Sequence, residues 1–280
     1  MVEPAPMKSY VQSHYDAHAK STTRRERAQG PLFELKKFHN AQKRDLIIKY
    51  GSGGSLLDLG CGRGGDIGKW MDAGIPYVTG LDISAEELDE ARRRFGRFGR
   101  VRGGGAYEFH QVDLRTSVWL SPHKYDAITS MFSLHYFFDA ESSLRNVLET
   151  VMRNIKPGGY FFGTVPDGKR IADLLNESQT SKTSNDHLTL QPMFDPLNRN
   201  VFGKAYVFAL DDTVTSDARG TAGSLEYLVN MNFFKMVAAE YGLEFVDSKP
   251  FEPPEFAGAT ASRLFTTFVF RADLKGSVNV

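Results

Sequence analysis

The stretch Ser55-Leu56-Leu57-Asp58-Leu59-Gly60-Cys61-Gly62-Arg63-Gly64-Gly65-Asp66 decides how this chain is read. A short apolar run from Ser55 to Leu59 ends in a glycine cluster, and a helical stretch from Asp66 to Ala73 follows, which reads as strand, tight turn, helix. Glycine at alternate positions permits the turn and lets backbone amides approach a ligand closely. A dinucleotide site would want G-x-G-x-x-G with its amides on a pyrophosphate. Here the run is G-x-G-x-G-G, preceded by the acid Asp58. A carboxylate at that mouth repels a pyrophosphate and suits a cofactor carrying positive charge, which points to S-adenosylmethionine with its sulfonium and ammonium groups.

The segments on either side extend the pattern. Tyr77 to Leu81 reads as a second strand ending in Asp82, whose carboxylate can accept both ribose hydroxyl hydrogens. Ser84-Ala85-Glu86-Glu87 opens an Arg-rich helix in the manner of a capping box. A third strand near Tyr107 to Val112 leads to Asp113, placed to approach the adenine. Each acid alone would also suit a turn or an N-cap, and the recurrence of strand followed by Asp is what selects the cofactor. Upstream, Leu35, Phe38, Ala41, Leu46 and Tyr50 predict a helix from about Phe33 to Tyr50, ended by Gly51. Downstream, Tyr125 to Met131 and Tyr160 to Val165 read as strands around a helix from Ala140 to Ile155, with the turn Lys156-Pro157-Gly158-Gly159 between. Alternation of strand and helix predicts an α/β fold with a doubly wound, mostly parallel sheet.

The polar, Ser/Thr-rich run Asn176 to Asp186 opens an insertion after the fifth strand, with residues 176–204 expected to be partly mobile. Ala205 to Leu210 and Leu225 to Asn230 read as strands, Asn232 to Tyr241 as a helix closed by Gly242, and Leu264 to Arg271 as a terminal strand. Residues 1–280 are expected to form a single domain with 1–32 as an N-terminal arm. The chain has 41% hydrophobic residues and 34 Lys plus Arg against 34 Asp plus Glu, an ordinary globular composition. Cys61 is its single cysteine, so neither an intrachain disulfide nor a Cys-based zinc cluster is possible, and a reducing compartment is expected. Its glycine neighbours suggest a steric role for Cys61. His14 and His18 stand four apart without an acidic or Cys partner nearby, so no metal site is expected. No apolar run approaches the ~18 residues of a membrane span, and Pro4 and Pro6 stand where a signal peptide would be apolar. The zero net charge hides local clustering: Lys20 to Lys49 is rich in base, and Arg92, Arg93, Arg94, Arg97, Arg100 and Arg102 form a block with no acid inside it.

With these features the chain resembles class I S-adenosylmethionine-dependent methyltransferases, which implies a seven-stranded sheet with a reversed last strand. Three further stretches narrow the likeness: Phe38-His39-Asn40-Ala41-Gln42-Lys43-Arg44-Asp45-Leu46-Ile47, Ser130-Met131-Phe132-Ser133-Leu134-His135-Tyr136-Phe137 and Ser224-Leu225-Glu226-Tyr227-Leu228-Val229. Together with the glycine turn and Thr164-Val165-Pro166 they resemble the mRNA cap guanine-N7 methyltransferases, from about His14-Tyr15 to Arg271. The resemblance implies that Lys43 binds the methionine carboxylate, that Asp58 and the turn from Gly60 through Gly62 to Gly64 flank the methionine, and that Asp82 holds the ribose. It places Asp113 and Ser133 at the adenine. It implies a guanine pocket of His135, Tyr136, Pro166, Glu226 and Phe265, and basic contacts to the cap phosphates from Arg63 and Arg94. His39-Asn40 stand where the family has Asn-Asn, Met131 where it has Gln, and Phe265 where it usually has Tyr.

The implied reaction is methyl transfer from S-adenosylmethionine to N7 of the guanine in GpppN-ended mRNA, leaving S-adenosylhomocysteine. Guanine N7 has a free lone pair, so no general base is expected, and Glu226, His135 and Tyr136 would act by positioning. The resemblance also implies capped RNA as a partner, other capping enzymes or an activating subunit as further ones, and residence in the nucleus, or the cytoplasm if viral. Two other functions stay open at this point. A small-molecule methyltransferase would share the cofactor end but gives no reason for the basic blocks. An inactive, RNA-binding subunit on the same fold is disfavoured by the intact Lys43, Asp58, Gly60, Gly62 and Asp82.

Overall fold

Strand β1 (Ser55–Leu59) is buried along almost its whole length, and its side chains divide between two cores, Leu57 and Leu59 on one face and Leu56 on the other. A strand covered on both faces reads as a short apolar run, and the glycine turn that follows marks it as a strand. The computed structural model describes residues 30–102, 105–177, 183–185, 187–195, 197–210 and 223–273. Residues 1–29 of the N-terminal arm, with His14, His18, Lys20, Arg24, Arg25 and Arg27, lie outside the described residues, as do the side chains of Arg100 and Arg102.

Helix α1 (Phe33–Gly51) precedes β1, and α2 (Ile67–Asp72) follows the glycine turn. Next come β2 (Tyr77–Asp82), α3 (Ala85–Arg102), β3 (Ala106–Gln111) and β4 (Tyr125–Met131). A short 3-10 helix (Leu134–Phe138), α4 (Glu141–Asn154) and β5 (Ile155–Pro166) complete the alternating half. Helix α5 (Gly168–Glu177) leads into β6 (Thr183–Asn185), β7 (Leu188–Pro192), β8 (Ala205–Leu210) and β9 (Ser224–Tyr227). The chain then returns through α6 (Met231–Glu240), β10 (Leu243–Asp247), the single turn α7 (Ala259–Ser262) and β11 (Phe265–Ala272).

The main sheet has seven strands in the order β10-β11-β5-β4-β1-β2-β3. β1, β2, β3, β4 and β5 pair in parallel, while β11 runs antiparallel to both β5 and β10. This is the expected sheet with its reversed last strand. The order turns back between β1 and β4, the switch point beside which open α/β sheets bind ligands at the carboxyl ends of their strands. Between β5 and the final strands, β6-β7-β8-β9 form a separate antiparallel sheet. Leu188, Leu190, Tyr206 and Phe208 of that sheet share a core with Leu32, Leu35, Phe251 and Phe265, which places it over the end of the main sheet.

Several boundaries differ from the expected ones for local reasons. The strand after residue 223 stops at Tyr227, because Asn230 caps α6 by accepting from the Phe233 amide at 3.0 Å. β10 was not foreseen: it is an edge strand whose Glu244, Phe245 and Val246 are exposed, so it carries no apolar run. The described part of 176–204, expected to be a partly mobile insertion, supplies β6 and β7 to the second sheet. Among the described residues, no helix is long and apolar enough to cross a membrane.

Candidate active site

The glycine turn begins with two backbone bonds to the neighbouring strand. The amides of Gly60 and Cys61 both donate to the Leu81 carbonyl, at 2.8 and 2.9 Å. Gly60, Gly62 and Gly64 have φ of 77°, 49° and 70°, the left-handed region that side chains disfavour. At Gly60 a Cβ would also stand 2.5 Å from Cβ of Ser133, so turn and β4 loop meet only through glycine. Cys61 packs under the turn against Gly80, where a Cβ would lie 2.7 Å from its Sγ, and burial pushes its thiol well above the usual range. A steric role follows for Cys61.

The turn opens on a cavity of about 270 Å³. Among the residues expected at the cofactor, Lys43, Gly60, Gly62, Asp82, Asp113 and Ser133 all line it, and so do Arg63 and Tyr136. Asp82 is clamped by the Gly62 amide on Oδ2 at 2.7 Å and the Ser84 amide on Oδ1 at 2.9 Å. Burial pushes its carboxyl up to about 6 despite those bonds. Ser133 donates to the Leu59 carbonyl at 2.6 Å while Ser130 stands 2.7 Å away as donor, so toward the cavity Ser133 can only accept. Asp113 accepts from the Arg115 amide and from Arg115 Nε, at 3.1 and 3.2 Å.

Two cavity residues carry weight that the sequence did not show. Asp66 accepts from Lys43 and Lys69, with ion pairs of 2.7 and 2.6 Å. Burial works against its ionisation, yet the two ammonium groups outweigh that and hold its carboxyl at about 2. Phe132 has φ of 59°, a strained conformation for a bulky residue, anchored by its amide donating to Thr164 O at 3.0 Å. Its ring lines the cavity on one side and stacks on His39, with centroids 5.2 Å apart, on the other. Neither signal is in the residue types: Asp66 reads as a helix start and Phe132 as core.

Next to this cavity a second, buried group forms. The ring of His135 lies 4.1 Å from that of Tyr136, and His135 Nε2 is 3.8 Å from Oε1 of Glu226. Both ring nitrogens of His135 are buried without a hydrogen-bond partner among the described residues, and burial holds the imidazole at about 3, so it is neutral. Glu226 accepts from Tyr206 Oη at 2.8 Å and from Ser224 Oγ at 2.9 Å, and burial pushes its carboxyl up to about 7. Pro166 and Phe265 pair with one another across β5 and β11. Phe265 packs edge-on to Phe132 at 5.0 Å and to His39 at 5.2 Å. His39 Nε2 and Ser262 Oγ share a hydrogen bond of 2.9 Å, and burial with nearby Lys43 lowers the ring to about 3.

Other expected residues stand elsewhere. Asp58 is buried and is not among the residues lining the cavity; its carboxyl accepts from Thr129 Oγ1 at 2.6 Å, with burial and then Asp66 pushing it up to about 7. Asn40 is exposed and bonds the Lys36 carbonyl one turn back. Arg63 grips Glu87 through Nε and a terminal nitrogen, at 3.0 and 2.5 Å. Acids one turn upstream of the arginine block pair with it. Arg92 pairs with Asp89, while Arg93, Arg94 and Arg97 share Glu90. Arg94 is largely buried, while Arg93 and Arg97 are exposed at 69% and 70% and Arg92 at 49%.

A carboxyl raised to about 7 in the fold but ordinary in the unfolded chain costs stability as pH climbs between those values, because folding must then take up a proton that the unfolded chain has lost. Below that window Glu226 is protonated in both states and the cost vanishes. Glu226→Gln removes this titration while Asp58 and Asp82 keep theirs. Scanning calorimetry should show the variant's Tm gaining on the wild type by at least about 2 °C between roughly pH 5 and 8. Parallel curves would contradict the buried, uncompensated carboxyl.

Comparison with known proteins agrees with this geometry. Residues 3–257 match the mRNA (guanine-N(7))-methyltransferase domain family. The mRNA cap guanine-N(7) methyltransferase of Saccharomyces cerevisiae is 31% identical over 265 residues, covering 86% of this chain and 58% of that protein. Its counterpart in Cryptococcus neoformans is 32% identical over 249 residues, 86% of this chain and 34% of that protein. The mRNA cap guanine-N(7) methyltransferase 1 of Oryza sativa is 31% identical, covering 88% and 70%. The chain thus spans only part of the length of these relatives. Among solved structures, the CcbJ methyltransferase from Streptomyces caelestis superposes with a TM-score of 0.60 at 17% identity over 96% of this chain and 100% of that one, a likeness of fold. The match over most of the chain, on a sheet and cavity of the methyltransferase kind, makes it a member of the mRNA (guanine-N(7))-methyltransferase domain family.

Proposed function

We propose that this chain transfers a methyl group from S-adenosylmethionine to N7 of the terminal guanine of GpppN-ended RNA. The observation that carries the reading is the buried Glu226, fixed by two hydroxyls beside the unpartnered His135, next to a cavity wall. The donor set suits the cofactor. Lys43 and Asp66 offer opposite charges to the carboxylate and ammonium of an amino acid, Asp82 offers acceptor oxygens to ribose hydroxyls, and Ser133 offers an acceptor to the adenine amino group. When bound, S-adenosylmethionine supplies an electrophilic methyl on a cationic sulfur.

The remaining work belongs to the protein's residues. Guanine N7 needs no deprotonation, so a general base has no task, and the neutral His135 fits a role in positioning. Glu226 can accept from guanine N1–H and the exocyclic amine, an edge that adenine does not present. Its negative charge then favours the positive charge that develops on the methylated ring. Holding the base in line is the main source of rate. Arg93 and Arg97 face solvent on α3 and supply charge for an RNA backbone, and Arg63 lies at the cavity for the cap phosphates. Work on nascent transcripts, with other capping proteins and in the nucleus, belongs to the same proposal.

Glu226→Gln should lower kcat/KM for GpppRNA by at least about a hundredfold with cofactor affinity unchanged, measured as transfer of labelled methyl. Wild-type activity in that variant would overturn the guanine-edge role. Asp82→Ala should weaken S-adenosylmethionine binding by ~1 to 3 kcal/mol in calorimetry, the effect of leaving two hydroxyls without their acceptor. Unchanged affinity would move the ribose elsewhere.

A further inference from the structure

Glu226 is held by a pair of hydroxyls that behave differently. In the antiparallel register of β8 and β9, Tyr206 stands directly opposite Glu226, and Ser224 lies two positions earlier on the same face. Ser224 Oγ reaches two acceptors, the Phe208 carbonyl at 3.2 Å and Glu226 Oε1 at 2.9 Å, but has one hydrogen. It can donate to an ionised Glu226, or turn to Phe208 and accept from a protonated one, so it serves both states. Tyr206 is fully buried, and its hydroxyl meets Glu226 Oε2 alone among the described residues. Burial and the adjacent Glu226 hold its phenol well above the usual range, so it stays a donor. A hydrogen bond to a charged acceptor is stronger than one to a neutral carboxyl.

From this asymmetry we infer that Tyr206 is a positioning residue that orients the Glu226 carboxylate and favours its ionised form, and so sets the acid side of the activity profile. The inference rests on the reading of Glu226 as the guanine contact. Among the described residues, Tyr206 from β8, Ser224 from β9 and His135 from the 3-10 helix are the polar groups that face the carboxyl, and the neutral His135 contributes no charge. Two lone pairs of Glu226 are thereby engaged from behind. The others are left for the paired donors of a guanine edge.

The test is the pH dependence of kcat/KM for the GpppA dinucleotide between about pH 6 and 8.5, with S-adenosylmethionine saturating so that titration of Asp82 is not read. Tyr206→Phe should move the acid limb up by about one pH unit, the effect of losing one hydrogen bond to a charged acceptor. Ser224→Ala should move it by less than about half of that, because Ser224 serves both protonation states. In a Glu226→Gln background, Tyr206→Phe should add no pH-dependent loss. Should Tyr206→Phe fail to fold, 3-fluorotyrosine at position 206, a stronger donor, should move the limb down. An unmoved limb, or equal shifts in the Tyr206 and Ser224 variants, overturns the inference alone. A wild-type protein inactive on GpppA overturns the inference together with the function it rests on.

Discussion

Burying a carboxyl group without a cation is the constraint around which this site is built. Asp58, Asp82 and Glu226 are each buried, each raised above the ordinary carboxylate range, and each satisfied by hydroxyls or backbone amides. Asp66, by contrast, has two lysines and falls to about 2. An acid held by neutral donors keeps its charge uncancelled for a ligand that brings positive charge or N–H groups. The fold delivers those donors from strand ends: the glycine turn gives Asp82 an amide, β4 gives Asp58 a hydroxyl, and β8 gives Glu226 another. Such a site is expected to be less stable than one neutralised in place, the usual trade between stability and activity.

Phe132 joins the two halves of the site. Its ring forms part of the cavity wall and packs against His39 and Phe265, so it separates the expected cofactor space from the aromatic cluster behind it. The left-handed backbone needed for this is held by the bond to Thr164. At two positions where the resemblance leads one to expect Asn and Tyr, this chain has His39 and Phe265, which touch each other at 5.2 Å while His39 bonds Ser262. The two departures therefore fall in one contact, a packed aromatic pair with its polar atom turned to Ser262.

What the sequence made legible follows from burial. β1, β4 and β8 are inner strands, so their apolar runs stand out, and observed β4 and β8 begin and end where periodicity places them. The turn from Gly60 to Gly64 is legible because its backbone admits little but glycine. β10 is an exposed edge without such a run, and β6 is hidden in a polar stretch. Glu226 was reached only through resemblance to a family, since one acid in a strand has no signature of its own. Tyr206 was not reached at all: it lies 20 residues away in sequence and meets Glu226 through strand register, which composition does not encode. The arginine block misleads for a related reason, because its neutralising acids lie one helical turn outside it.

The central claim, that a buried carboxylate reads the paired donors of a guanine edge, is tested most directly by changing the base and leaving the protein intact. Inosine keeps N7 and N1–H but lacks the exocyclic amine, so methyl transfer to IpppA set against GpppA isolates one of the two donors. Losing a hydrogen bond to a charged acceptor predicts a kcat/KM at least about tenfold lower for the inosine cap, with no transfer to ApppA. Equal rates on the inosine and guanine caps would contradict the account.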